Sequence, residues 1–482
     1  MKVPHIGRVV VVGSCIPLAF AVAAEFARVS LRAAPLSIAS DLAQPIPVAT
    51  TWHDFGASLF VTLLGAVVVA AVAYGMLLRD IAARSYETHA PAVLLTIAAL
   101  ATLSLVAAMT FPVIFSSDVY AYGAYAQMAA HGINPYSHAP LALTDTLSRA
   151  ALWQWGNPPP LCVYGPVFVW LAKIIVNALA PAGVVWQLFG LRILSGLSLV
   201  ACGQLMFWAL PKLSIAHRLM AAAGVSLNPV ALWAASEGHN DALMLLIVLC
   251  GFVMLKRFGL TAGSFVIAGS SLVKAPGVAA GIVLATFAWP VRSHFIKIAA
   301  GLCGGIVLTA IIALPFEAGI SNVLIPRGHY TPQFSAQYLV SEFARQLLPG
   351  HAGALELGVA LALVASGALL LYGLRLSVLG KLEGAAFMAL ALWLAIPNPY
   401  PWYALWILPV AFLSFQSSGS VAIIVASLII FLRYLPDVAV ANNTDLNLVV
   451  TLCEIALPMF LLLPRARALA RNAALGGVER AS

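Results

Sequence analysis

The segment SSDVYAYGAYAQMAAHGINPYSHAP, beginning at Ser116, sets one acid among several tyrosines. A carboxylate at Asp118, just beyond an apolar run, can accept the proton of an attacking hydroxyl, while Tyr120, Tyr122 and Tyr125 can wall a pocket for a sugar or a polyprenyl chain. Asn134, Pro135 and Tyr136 read as the turn that ends this segment. The plain alternative is an interfacial aromatic belt behind a helix-capping acid. A second constellation, NPVALWAASEGHNDALMLL from Asn228, brings Glu237, His239, Asn240 and Asp241 to one helix junction. Such a set suits recognition of hydroxyls, with His239 near a phosphate. Two acids and a histidine could hold a divalent metal, but they stand only two residues apart with no second His or Cys cluster, so a metal is not favoured. A capped turn with Asp241 as helix N-cap is the bland reading.

Two cations add to these sets. Lys274, in Val-Lys-Ala-Pro amid apolar sequence, either faces a polar cavity or an anionic partner, or snorkels to the membrane interface. Arg327, His329 and Tyr330 in PRGHYTPQ are the other candidate anion site, or else an ordinary loop. NPYPWYALW, containing Tyr403, either caps a cavity beside an acceptor or a prenyl groove, or belongs to an aromatic belt.

The elements that must position these groups are membrane helices. Of 482 residues, 62% are hydrophobic and 9% are charged, against about 25% charge in a soluble domain. A mean hydropathy of +0.98 excludes an ordinary soluble enzyme. Backbone in lipid must satisfy itself, so apolar runs near 20 residues become helices. The net charge of +8 comes from Lys and Arg scattered singly between those runs, as in loops that orient spans, and nucleic acid is discarded as a partner. Five of six cysteines fall in apolar runs, leaving Cys162, so no disulfide framework is expected.

The run from Val9 to Phe26 reads as a retained first span, not a signal peptide. Further spans are expected near 57–77, 91–114, 185–210, 218–235, 241–255, 295–314, 354–373, 384–397, 402–415, 419–434 and 446–463. The positive-inside rule places 164–181 flat at the interface. Residues 262–290 would measure about 43 Å as one helix, yet both ends carry cations, so a broken pair turning near Lys274 and Pro276 is expected. The result is an all-α polytopic bundle of about 14 membrane segments plus a juxtamembrane helix. It has a membrane pair at 1–90, a core at 91–415 with outer loops 115–184 and 315–353, a second pair at 416–464 and a basic tail at 465–482. Both termini fall in the cytoplasm and the candidate chemistry on the outer face of the cytoplasmic membrane.

The ordered succession SDVYAYGAYAQMAAHGINPY, WQWGNPPPLCVYGPVF, NPVALWAASEGHNDALM, LVKAPGVAAGIVL and IPNPYPWYALWILP resembles the polyprenol-phosphate-mannose-dependent mannosyltransferases of the GT-C superfamily. The similarity is to the α-1,6-mannosyltransferases of lipoglycan assembly in particular, and more distantly to glycosyltransferase family 87. It runs from about residue 90 to 415. The resemblance implies a GT-C-like fold, a catalytic Asp matching Asp118, a juxtamembrane helix starting at Tyr164 to Pro166, and a polyprenyl-phosphate sugar as donor to a glycan or glycolipid acceptor. Inverting transfer then needs one base, with Lys274, Arg327 or His239 stabilising the departing phosphate. The rival classes are a secondary transporter or lipid flippase of envelope precursors, for which the break at 262–290 speaks, and a non-catalytic scaffold. A coupled transporter usually needs ionisable groups at mid-membrane, and Glu454 alone stands there with conviction.

Overall fold

The computed structural model describes residues 4–30, 47–84, 86–111, 113, 115, 116, 118–140, 160–316, 332–349, 353–415, 417–438 and 444–462. Arg327, His329, Tyr330, the Trp153 to Pro159 stretch and the 465–482 tail lie outside them. The chain divides between Gly328 and His329 into two compact units.

The first unit contains helices α1 (Pro4–Ser30), α2 (Pro47–Ala82), α3 (Ala90–Met109), α4 (Asp118–Ala130), α5 (Pro166–Ala178), α6 (Val184–Ala209), α7 (Ile215–Ser226), α8 (Pro229–Ser236), α9 (Asp241–Phe258), α10 (Leu260–Gly269), α11 (Val278–Ala288) and α12 (Arg292–Ala313). α1 packs on α2 and α3, α6 on α7 and α9, α4 on α5, and α10 between α9 and α12. The second unit holds α13 (Ala336–Leu347), α14 (Ala354–Val378), α15 (Glu383–Ala395), α16 (Ala404–Ala411), α17 (Ser418–Ile429), α18 (Leu435–Val438) and α19 (Thr444–Phe460), with α14 against α13 and α15.

The expectation of a helical membrane protein holds, but not that of about 14 spanning segments. Among the described residues six helices are long and apolar enough to cross a bilayer, or seven if the bent pair α7 and α8 counts as one. The shortfall has local causes. Near 218–235 the chain bends by 45° because Pro229 offers no N–H and Asn228 caps the new helix, its Oδ1 accepting from the Val230 and Ala231 N–H groups. α9 has 18 residues but carries Asp241, Lys256 and Arg257. Several of the remaining apolar runs fold as helices of 10–17 residues.

Two ambiguous stretches take definite form. α5 has 13 residues, about 20 Å, too short for a hydrocarbon core of roughly 30 Å. It buries Phe168, Val169, Ala172 and Val176 and exposes Trp170 and Ile174. Residues 262–290 break as the Pro and the lone cation suggested, with short 3-10 turns at Ser270–Leu272 and Ala275–Gly277 on either side of an extended Lys274.

Candidate functional site

Asp118 opens α4 in the first unit rather than standing in a loop after a span. Its N–H donates to Ser116 Oγ at 3.2 Å, and its side chain is 9% exposed. Three groups converge on Oδ2, two of them from distant sequence. Tyr122, one turn along α4, donates its hydroxyl at 3.2 Å, Tyr164 donates at 3.5 Å, and His239 Nδ1 lies 3.3 Å away. The other ring nitrogen of His239 is 3.8 Å from Glu237 Oε2, so one imidazole lies between two carboxylates. All of these side chains are buried.

The electrostatics follow from burial. Loss of water pushes the Tyr122 and Tyr164 hydroxyls well above their ordinary range, and the Asp118 charge pushes them further, so both remain protonated donors. For His239 burial opposes the charged form, but contact with Asp118 and Glu237 outweighs it and raises the imidazole above the ordinary histidine value. The sign follows from linkage. A group held protonated in the fold contributes stability that is complete below the ordinary histidine pKa of about 6.5 and is lost as pH rises through the higher folded value. His239→Gln should therefore flatten the decline in thermal unfolding midpoint above neutral pH; an unchanged pH profile would exclude an imidazolium between the two acids.

Lys274 stands on the same cluster, paired with Asp241. Its Nζ donates to Oδ1 at 2.8 Å and Oδ2 at 2.9 Å and sits 5.8 Å from the Tyr164 ring centre. Asp241 is the first residue of α9, not its N-cap, and its carboxylate is spent on Lys274. Asn240 occupies the cap position without capping through its side chain. Its carboxamide is 2% exposed with no hydrogen-bond partner on Nδ2 or Oδ1 among the described residues. Tyr122 and Tyr164 meet edge to face at 4.8 Å, and Tyr122 meets Phe168 at 4.9 Å.

Backbone contacts hold the pieces in register. The Gly165 N–H donates to the Val273 carbonyl at 2.9 Å, which joins the YGP segment to the Lys274 break. A Cβ on Gly165 would lie 2.2 Å from the Leu272 carbonyl. Gly165→Ala should cost about 2 kcal/mol or more and displace Lys274, measured as a lowered unfolding midpoint; an unchanged midpoint would mean that the segment yields freely. Gly238 adopts φ +94, a conformation open to glycine, and turns Glu237 and His239 inward.

Asn134 and Tyr136 support the site from behind. Asn134 Oδ1 accepts the Tyr136 N–H at 2.9 Å, and the Tyr136 hydroxyl donates to the Tyr164 carbonyl at 2.6 Å. Tyr403 belongs to the second unit, in an aromatic stack with Trp406 at 4.0 Å. Sequence reading missed Arg192 and Ser195 of α6, which donate to the Ser236 and His239 carbonyls and fix the turn. The available signal was a lone arginine inside the apolar run at 185–210, since such a charge is expensive unless used. Among the described residues no group of three His, Cys, Asp or Glu is arranged to hold a metal ion.

The family model described as alpha-(1->6)-mannopyranosyltransferase, N-terminal domain, matches residues 16–291, more than half of the chain and the whole Asp118 to Lys274 cluster. The chain is 27% identical over 359 residues to alpha-(1->6)-mannopyranosyltransferase A of Mycobacterium tuberculosis, covering 64% of each protein. It is 34% identical over 152 residues to a probable alpha-(1->6)-mannopyranosyltransferase of Mycolicibacterium smegmatis, covering 29% of this chain and 25% of that one. It is 26% identical over 347 residues to alpha-(1->6)-mannopyranosyltransferase B of Corynebacterium glutamicum, covering 62% and 55%. The chain thus spans less than two thirds of the length of these curated relatives. No solved structure matches it.

Proposed function

Because this chain belongs to the alpha-(1->6)-mannopyranosyltransferase family, we propose that it is a membrane glycosyltransferase moving mannose from a polyprenyl-phosphate donor to a glycan or glycolipid hydroxyl. The observation that carries this reading is the buried Asp118 carboxylate, which accepts from the Tyr122 and Tyr164 hydroxyls and lies 3.3 Å from the His239 imidazole of the GHND turn.

The chemistry needs little more. The acceptor O–H gives its proton to Asp118 as its oxygen bonds to the anomeric carbon, and the bond from that carbon to the phosphate oxygen breaks with its electron pair leaving on phosphate. Attack opposite the phosphate inverts the centre, so a β-linked donor yields an α-mannoside. Phosphate is a good leaving group, so no second carboxylic acid is required to protonate it. Tyr122 and Tyr164, kept protonated, orient Asp118. His239, between Asp118 and Glu237, supplies positive charge that offsets the two carboxylates. Asn240 offers a donor and an acceptor to a sugar hydroxyl from a site where an unmet amide is costly.

Lys274 takes a different role from direct phosphate binding. Its charge is already matched by Asp241, so it acts as the strut that holds the break against α9. In this reading the candidate chemistry faces the exterior side of the cytoplasmic membrane, opposite the cation-rich loops. Reconstitution with polyprenyl-phosphate-mannose and a mannose acceptor is the test. Acceptor-dependent transfer supports the enzyme; acceptor-free flipping of the lipid, or no reaction, would replace it with a transporter or a scaffold.

A further inference from the structure

The far end of α9 from Asp241 presents a different chemistry. Fifteen residues along the helix, about 22 Å away, Lys256 and Arg257 flank an open pocket walled by Leu205, Trp208 and Val253. The pocket has a volume of about 450 Å³ and lies between the C-terminal ends of α6 and α9. Trp208 is 57% exposed and the neighbouring Phe258 62%, large rings set beside charged heads at the ends of apolar helices. Arg218 stands over the Phe207 ring at 3.9 Å and reaches Trp208 at 5.7 Å, adding a third cation.

Among the described residues no acid pairs with this charge. From Thr146 to Phe316 the sequence contains two acids, Glu237 and Asp241, and both sit in the cluster at the other end of α9. Among the described residues, Arg218, Lys256 and Arg257 form no ion pair. Apolar walls, exposed rings at the ends of apolar helices and cations without an ion pair beside them match one ligand in shape and charge.

We propose that the pocket between α6 and α9 binds the headgroup of an anionic phospholipid, at the end of α9 away from the Asp118 cluster. The acyl chains lie along Leu205 and Val253, Trp208 packs at the glycerol level, and Lys256 and Arg257 hold the phosphate. This assignment requires membrane helices and is independent of the transferase reading. Each basic residue near a membrane surface contributes about a five-fold gain in binding, so the pair supplies about thirty-fold.

The test is native mass spectrometry of the purified full chain titrated with phosphatidylglycerol, phosphatidylcholine or inorganic phosphate. Phosphatidylglycerol should be retained, Lys256→Gln with Arg257→Gln should weaken it about thirty-fold, and the charge-preserving pair Lys256→Arg with Arg257→Lys should keep it within about three-fold. Equal retention of phosphatidylcholine, or unchanged affinity in the glutamine pair, overturns the proposal. Displacement by inorganic phosphate at the same concentration also does so, by making this a free-anion site. A second readout leaves the cations intact. Dibrominated phosphatidylglycerol should quench the emission that Trp208→Phe removes, and equal quenching by the brominated phosphatidylcholine would refute the site.

Discussion

Asp118→Asn should lower mannosyl transfer by about 10² to 10⁴ while leaving the fold intact, because a general base typically contributes that factor. The amide keeps the shape of the carboxylate and retains an oxygen to accept from Tyr122 and Tyr164, but it cannot take the acceptor proton. Stability measured by thermal unfolding should change far less than turnover. Asp118→Ala should show the same catalytic loss with a larger structural cost, since two buried tyrosine hydroxyls lose their acceptor. Full turnover in Asp118→Asn would mean that another group removes the proton. Tyr122→Phe and Tyr164→Phe sort base from support: each should reduce transfer less than Asp118→Asn, because the carboxylate remains.

Lys274→Met should destabilise the protein by about 3–5 kcal/mol, the cost of leaving a buried charge without its partner. The Asp241 carboxylate is 0% exposed and the Lys274 side chain 12%, so water cannot substitute for the lost ammonium. Joint replacement, Asp241→Leu with Lys274→Met, should recover most of that loss, because an apolar pair of similar volume removes both charges together. Comparison of unfolding midpoints for the single and joint variants checks this. If Lys274 instead held the donor phosphate, Lys274→Met would raise the KM for the donor with little change in stability. The joint variant would then recover nothing.

Much of the site was legible because its groups are costly where they stand. A lone lysine beside a proline in apolar sequence announced a break at 262–290, and the turns on either side of Lys274 fall there. GHND and SDVYAYGAY were visible as polar clusters at the ends of apolar runs. The number of spans was not legible in the same way. Hydropathy reports whether a segment tolerates lipid, not whether it continues straight. Asn228 with Pro229 bends one long apolar run into a pair, and several other apolar runs fold as helices of only 10–17 residues.

By itself the sequence determined the class of solvent, the all-helical build and which residues were too polar to be idle, because each follows from the cost of burying a group. Partnership was decided only by tertiary structure. Asp118 meets Tyr164 across 46 positions, Lys274 meets Asp241 across 33, and Ser195 reaches the His239 carbonyl across 44. Those pairings depend on how α4, α6 and α9 pack, and on the close approach that Gly165 permits, and no local pattern encodes such distances. Lys274 shows the division: spacing shows that a buried charge needs a polar cavity or an anionic partner, and only the fold shows that Asp241 is beside it.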